Sequence, residues 1–180
     1  MRNFLVCLII VLSLTAIAAG NANARKTNRH HRPIPVRTTL NNDTIPADSI
    51  LHFAQSLIGV HYRSATSDPL RGFDCSGFVS YVFKSFNFSV PRSSCEFINV
   101  GEKIRLEDAK PGDIILFTGT KKHTHKIGHI GIVFCNDGVD NFTFIHSTSG
   151  KEHGVTITAM DKNYKRRFVQ IIRLLKQNDV

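Results

Sequence analysis

Between Ser49 and Ile58 the apolar residues Ile50, Phe53, Ala54, Leu57 and Ile58 share one helical face. This spacing predicts an amphipathic helix with Asp48 as its cap and Gly59 as its stop. A loop through Tyr62 and Pro69 follows. Phe78, Val79, Val82, Phe83 and Phe86 then recur with the spacing of a buried helix that starts near Cys75. A short helical piece is predicted over Ser93 to Asn99, after Pro91, and Lys110-Pro111-Gly112-Asp113 is turn chemistry. Beyond it the period changes. Ile114–Phe117, Ile130–Phe134, Phe142–His146, Val155–Thr158 and Phe168–Leu174 are short, rich in β-branched and aromatic residues, and separated by Gly, Asn, Asp and Lys. These are strand signals. Lys121 to Lys126, with His123 and His125, reads as an exposed loop between strands. Helices first and strands after predict an α+β fold, with N-terminal helices packed on an antiparallel sheet of about five strands.

The first residues have a different character. Arg2 precedes a short apolar run, Phe4 to Leu14, and Ala22-Asn23-Ala24 is an A-x-A-like cleavage site. Residues 1–24 therefore read as a signal peptide, and the protein as exported, either periplasmic or secreted. The apolar run is too short for a stable membrane anchor, and no second stretch approaches spanning length. Cys7 lies inside that run, a poor position for lipid modification. Residues 25–43 carry charge and prolines with little apolar content and read as a basic flexible linker. Residues 44–180 read as one domain. The hydrophobic content of 42% fits a globular chain.

The formal net charge of +9 biases the protein towards anionic polymers. One basic group lies in the linker and a second comprises Lys162, Lys165, Arg166 and Arg167. No nucleic-acid motif or interleaved aromatic patch accompanies the charge, so nucleic acid is not expected as a partner. Neither CxxC nor HExxH spacing is present, and no metal or cofactor is expected. Cys75, Cys95 and Cys135 remain after cleavage of the leader. That is too few for a disulfide framework, and an odd number, although a Cys95–Cys135 bridge is one connectivity the sequence allows.

A cysteine in the first turn of a helix has the makings of a nucleophile, because the positive helix end stabilises a thiolate and lowers the thiol pKa. On that basis Cys75 should alkylate with iodoacetamide well below the pH of an ordinary thiol. The competing reading is that Cys75 is a small buried hydrophobe. A cysteine nucleophile needs a base, and the base needs a third group to fix its ring. His129 opens one predicted strand and His146 ends another. If the two strands are neighbours, both rings can point to one side at one end of the sheet, near the start of the cysteine helix. Taken singly, each histidine is more commonly structural than catalytic. His30, His31, His52, His61, His123, His125 and His153 lie in linker, loop or helix-face positions and receive no role.

Six ordered stretches carry a resemblance. They are Gly59-Val60-His61-Tyr62, Phe73-Asp74-Cys75-Ser76-Gly77-Phe78-Val79, Val90-Pro91-Arg92-Ser93-Ser94, Lys110-Pro111-Gly112-Asp113-Ile114-Ile115-Leu116-Phe117, Gly128-His129-Ile130-Gly131-Ile132-Val133 and Phe144-Ile145-His146-Ser147. In this order they resemble the NlpC-type cell-wall cysteine peptidases, whose fold is a papain-like core. The resemblance runs from about Ser49 to Leu174. It implies Cys75 as nucleophile, His129 as base and His146 as the third polar residue. It further implies that Tyr62, Asp74 and Ser76 bind substrate, with Asp74 and Tyr62 holding the free amino group of a peptide stem. Arg92 and Ser93 would meet a substrate carboxylate. Pro111, Gly112 and Asp113 look structural. The sequence departs from the family pattern after Tyr62, where Arg63-Ser64-Ala65 stands in place of a glycine pair. It also leaves no room for a separate wall-binding module, a role the basic linker would fill as an electrostatic tether to anionic wall or surface polymers.

The function implied is a monomeric peptidoglycan hydrolase of the bacterial cell wall. It would be a cysteine endopeptidase that cuts the γ-D-glutamyl–diamino acid bond of murein stem peptides. Two alternatives stay open: a thiol amidase acting on another cell-wall amide bond, and a non-catalytic wall-binding module that has kept the fold.

Overall fold

The computed structural model describes residues 45–120, 125–138 and 141–176. The leader, the linker and His123 lie outside the described residues. The first helix, α1, spans Ala47–Ser56 and buries Ile50, Leu51 and Ala54. It begins earlier than the apolar pattern suggests. Pro46 occupies the cap position and Asp48, expected there, sits in the first turn, where its charge still complements the helix dipole. Proline serves at this boundary because its fixed φ suits a helix entry and the N–H it lacks would have had no helical partner. Leu57 is the C-cap, and Gly59 lies just beyond it at φ 89°.

Two short strands, β1 (Ser67–Asp68) and β2 (Gly72–Phe73), pair as a small hairpin that leads into α2, Cys75–Ser85. Asp74 caps α2 by accepting from the Gly77 N–H at 2.6 Å. Gly77 is required by closeness: a Cβ there would collide with the Thr66 carbonyl oxygen. The loop before the hairpin is thereby laid directly against the first turn of α2, and Asp74 N–H donates to the same Thr66 oxygen at 3.0 Å.

The sheet has six strands rather than the five expected. They are β3 (Glu102–Ile104), β4 (Ile114–Thr118), β5 (Ile127–Asn136), β6 (Phe142–Ser147), β7 (Val155–Ala159) and β8 (Phe168–Arg173), in spatial order β3-β8-β4-β5-β6-β7 and antiparallel throughout. The added strand, β3, is three residues long with only Ile104 buried, too short to show a period of two. The predicted helical piece is a 3-10 turn over Ser94–Asn99.

Both faces of the sheet are covered, which is why β4 reads as an unbroken apolar run rather than an alternation. On one face Ile114, Leu116, Ile130, Ile132, Ile145 and Ile172 pack with α1 and with Phe78, Val79, Val82 and Phe83 of α2. On the other, Ile115, Phe117, Val133, Phe144 and Ile171 form a second cluster. That cluster is closed partly by Tyr164 of α3 (Lys162–Arg167), a six-residue helix capped by Asp161.

Asp113 and Arg173 join the turn before β4 to the end of β8. Arg173 donates to both Asp113 oxygens, at 2.9 and 2.8 Å, with side-chain exposures of 8% and 0%. Asp113 also accepts from the Lys110 N–H at 2.8 Å. Removing one member of a buried pair strands the other charge, at a cost of roughly 3–5 kcal/mol. Asp113→Ala is expected to lose about that much in urea unfolding, and a loss under about 1 kcal/mol would contradict a structural role for the pair.

Candidate active site

The site lies where the start of α2 meets the ends of β5 and β6. Register explains how. Ile132 pairs with Ile145, which sets His146 opposite Gly131, and His129 lies two residues along on the same face. The two rings are therefore diagonal neighbours, and His129 Nε2 lies 2.8 Å from His146 Nδ1. Gly131 keeps this corner open, because a Cβ there would press on the Phe144 ring and approach the Ile145 carbonyl oxygen at 3.0 Å. By strand alternation the rings share the face of Phe117 and Phe144, whereas α2 packs on the opposite face. The cysteine and the histidines thus come from opposite sides of the sheet and converge at its end.

Cys75 and His129 line one cleft of about 410 Å³ with Tyr62, Thr120, Gly128, Thr148, Ser149, Gly150, Tyr164 and Arg167. Ser147 ties its two halves together: its hydroxyl donates to the Phe73 carbonyl oxygen at 2.8 Å, linking the residue after His146 to the approach of Cys75.

His146 is fully buried. Its Nε2 lies 2.9 Å from Thr158 Oγ1 on β7. A three-member chain, His129–His146–Thr158, therefore runs across three adjacent strands, and Nδ1 is the ring nitrogen of His129 not engaged in it. Aromatic rings enclose the pair. Phe117 stands 5.9 Å from His129, Phe144 4.8 Å from His146, and Tyr164 6.1 and 5.8 Å from the two. Thr158 and Tyr164 carry no sequence motif of their own, and Ser147, although it closes the Phe144-Ile145-His146-Ser147 stretch, has no role that the stretch implies. The one signal was Asp161, three residues before Tyr164, which marks a helix start.

Burial controls the charges here. It pushes the Cys75 thiol up to about 11, with the Asp74 charge adding to the rise, while N–H groups of Ser76, Cys75 and Ile130 work against it. The expectation of a lowered thiol pKa is corrected: withdrawing a thiolate from water outweighs the helix end and its N–H donors. Burial likewise holds His129 well below the ordinary histidine value, with the neighbouring His146 and Arg167 charges adding to it. It also takes His146 down to about 4, helped by Arg167. The resting pair is a neutral thiol and a neutral imidazole.

These shifts tie stability to pH. The unfolded chain takes up a proton on His146 near pH 6.5, and the folded chain only near pH 4. Between those values the unfolded state holds more protons, so stability rises with pH and is lost as pH falls. The loss from His146 approaches roughly 3 kcal/mol at pH 4. Urea midpoints are expected to drop from pH 6.5 towards pH 4, with a shallower drop in His146→Asn. Equal slopes in the two proteins would contradict this account.

The expected binding residues fall in two places. Tyr62 lines the cleft, its ring 5.9 Å from that of His153. Asp74, Ser76 and Arg92 form an ionic cluster at the start of α2. Arg92 donates to Asp74 Oδ1 and Oδ2 at 2.9 and 2.7 Å and to Ser76 Oγ at 3.1 Å. Its loop is fixed by the Ser80 hydroxyl, which donates to the Pro91 carbonyl oxygen at 2.6 Å. Arg92 thus spends its fork on Asp74. Ser93 stands apart, exposed and 3.2 Å from Cys95 Sγ. Cys75, Cys95 and Cys135 are all free. Among the described residues no group of histidine, cysteine and carboxylate side chains is arranged to hold a metal, and no helix is long and apolar enough to cross a membrane.

The chain is 34% identical over 139 residues to the gamma-DL-glutamyl hydrolase of Bacillus subtilis strain 168, covering 74% of this chain and 30% of that protein. It is 31% identical over 122 residues to the murein DD-endopeptidase MepS/murein LD-carboxypeptidase of Escherichia coli K12, covering 67% and 58%. The chain thus spans about a third and somewhat over half of these relatives. The crystal structure of an NlpC/P60 family protein from Bacillus cereus superposes with a TM-score of 0.63 at 25% identity, covering 75% of this chain and 43% of that one. The papain-like fold is thereby established. The profile of the NlpC/P60 family matches residues 59–173, a span holding the cysteine helix, both histidine strands and the Asp113–Arg173 pair, and the chain belongs to that family.

Proposed function

We propose that this chain is an exported cysteine endopeptidase that hydrolyses the γ-D-glutamyl–diamino acid bond of peptidoglycan stem peptides. The observation that carries the reading is the cleft that Cys75 and His129 line together, with Nε2 of His129 2.8 Å from His146 Nδ1. The bond assignment is supported by the gamma-DL-glutamyl hydrolase relative.

Cys75 attacks the carbonyl carbon as its proton passes to Nδ1 of His129. This requires the tautomer in which His129 Nε2–H donates to His146 Nδ1, and His146 Nε2–H donates to Thr158. The same bonds hold the imidazolium once it forms. The N–H groups of Cys75, Ser76 and Ile130 that surround the sulfur are the candidates to receive the oxyanion. His129 then gives its proton to the leaving amine, the carbon–nitrogen bond breaks, and a thioester remains. Water, deprotonated by the same imidazole, releases the acid. Asp74, fixed in place by Arg92 and Ser76, and Tyr62 take the free amino end of the stem.

A second bond has support of its own, because the Escherichia coli relative is named as a DD-endopeptidase and LD-carboxypeptidase. Product masses from a defined tetrapeptide stem and from a cross-linked dimer separate the two. Fragments ending in D-glutamate support the proposal. Cleavage only at the cross-link or at the terminal D-residue would replace the bond while keeping the thiol chemistry.

A further inference from the structure

Arg167 is the single lysine, arginine or acidic side chain among the described residues lining the catalytic cleft. It is held rigidly. Nε and Nη2 both donate to the Thr118 carbonyl oxygen, at 2.9 and 2.7 Å, and the guanidinium lies over the Tyr164 ring at 5.4 Å. These bonds leave Nη1 unused, and among the described residues no carboxylate pairs with it. By contrast Arg92, Arg105 and Arg173 each meet an aspartate. A fixed, half-buried cation facing a cleft with no acid of its own is chemistry suited to an anionic group on a ligand.

Its place relative to the reacting atoms narrows that group. Tyr164 neighbours both Arg167 and His129: the guanidinium lies 5.4 Å from its ring centre and the His129 ring 6.1 Å from it. His129 is the residue that hands a proton to the departing amine, so the leaving residue sits beside it. Tyr62 lines the same cleft near Cys75 and Asp74; burial raises its pKa, and its two acidic neighbours add to the rise. We infer that Arg167 binds a carboxylate on the leaving-group residue, so that the enzyme selects a diamino acid carrying a second carboxylate over one that lacks it. This rests on the peptidase reading above and adds the residue that sets its specificity.

The test uses two stems, L-Ala-γ-D-Glu-diaminopimelate and its counterpart with the distal carboxylate converted to carboxamide. A charge-assisted bond is worth about 10- to 100-fold in kcat/KM. The wild-type protein is expected to prefer the carboxylate stem by that factor, mainly through KM. In Arg167→Gln the ratio between the stems should collapse towards one, and Arg167→Lys should retain part of it. A wild-type ratio near one, or an unchanged ratio in Arg167→Gln, overturns the proposal. If Arg167→Gln does not fold, the lysine variant still reports: it keeps the charge but not the two-pronged hold on Thr118, so an undiminished ratio there rejects the role of the fixed fork. If the wild-type protein cuts neither stem, the peptidase reading fails on its own. Titration of both stems into Cys75→Ala, with and without Arg167→Gln, then decides the carboxylate site from the binding ratio alone.

Discussion

Cys75→Ala is expected to remove hydrolysis of the stem peptide, a loss of at least about 10⁴-fold in kcat, while the protein stays folded. The half-buried sulfur is a small part of the packing around α2, and the helix keeps its Asp74 cap. A thermal midpoint within a few degrees of wild type should accompany the lost activity. Because burial holds the thiol near pKa 11, iodoacetamide should label Cys75 slowly at neutral pH, with a rate that climbs through the alkaline range. Catalysis should not follow that climb. The thiol loses its proton to His129 as it attacks, so activity tracks the neutral imidazole, whose depressed pKa keeps the acidic limb below about pH 6.5. An alanine variant that still hydrolysed the stem would end the assignment of Cys75 as nucleophile. A matched alkylation and activity profile would instead show a preformed thiolate.

The sequence carries more of the candidate site than of the scaffold that holds it. Cys75 was legible because a helix period begins at a cysteine, and His129 and His146 because strand periods fix where side chains stand. What could not be read is which side each group approaches from. Strand alternation puts the histidines on the face away from α2, a consequence of the register between β5 and β6, which no local pattern records. The roles of Thr158 and Ser147 are illegible for the same reason: each acts through one bond to a residue distant in the chain, His146 for the first and Phe73 for the second. The six-residue α3 is illegible because its basic side chains, all but Arg167 exposed, read as a charge run. The thiol pKa is illegible in the sequence because the burial that opposes the helix end is a tertiary property.

Replacing the histidines should separate a base from the group that orients it. His129→Ala removes the proton acceptor and is expected to cost about 10³- to 10⁴-fold in kcat. His146→Ala leaves the acceptor in place but frees its ring to turn and to adopt the tautomer with hydrogen on Nδ1, which cannot take the thiol proton. A displacement of about 1 Å at such a position costs roughly 100-fold, so the loss should be smaller than for His129. The stability order should be the reverse. His146 is fully buried between Phe144 and Tyr164 and bonds to Thr158. Its removal leaves both a cavity and an unpaired hydroxyl, together on the order of 2–4 kcal/mol. His129, half-buried at the cleft, should cost less to truncate. His146→Asn or His146→Gln, which retain an acceptor for His129 Nε2–H, should recover part of the rate at wild-type pH dependence. Equal kcat losses in His129→Ala and His146→Ala would mean that the second ring takes part in the chemistry itself. No loss in His146→Ala would mean that the 2.8 Å contact is structural only, and that the aromatic cage alone fixes the base.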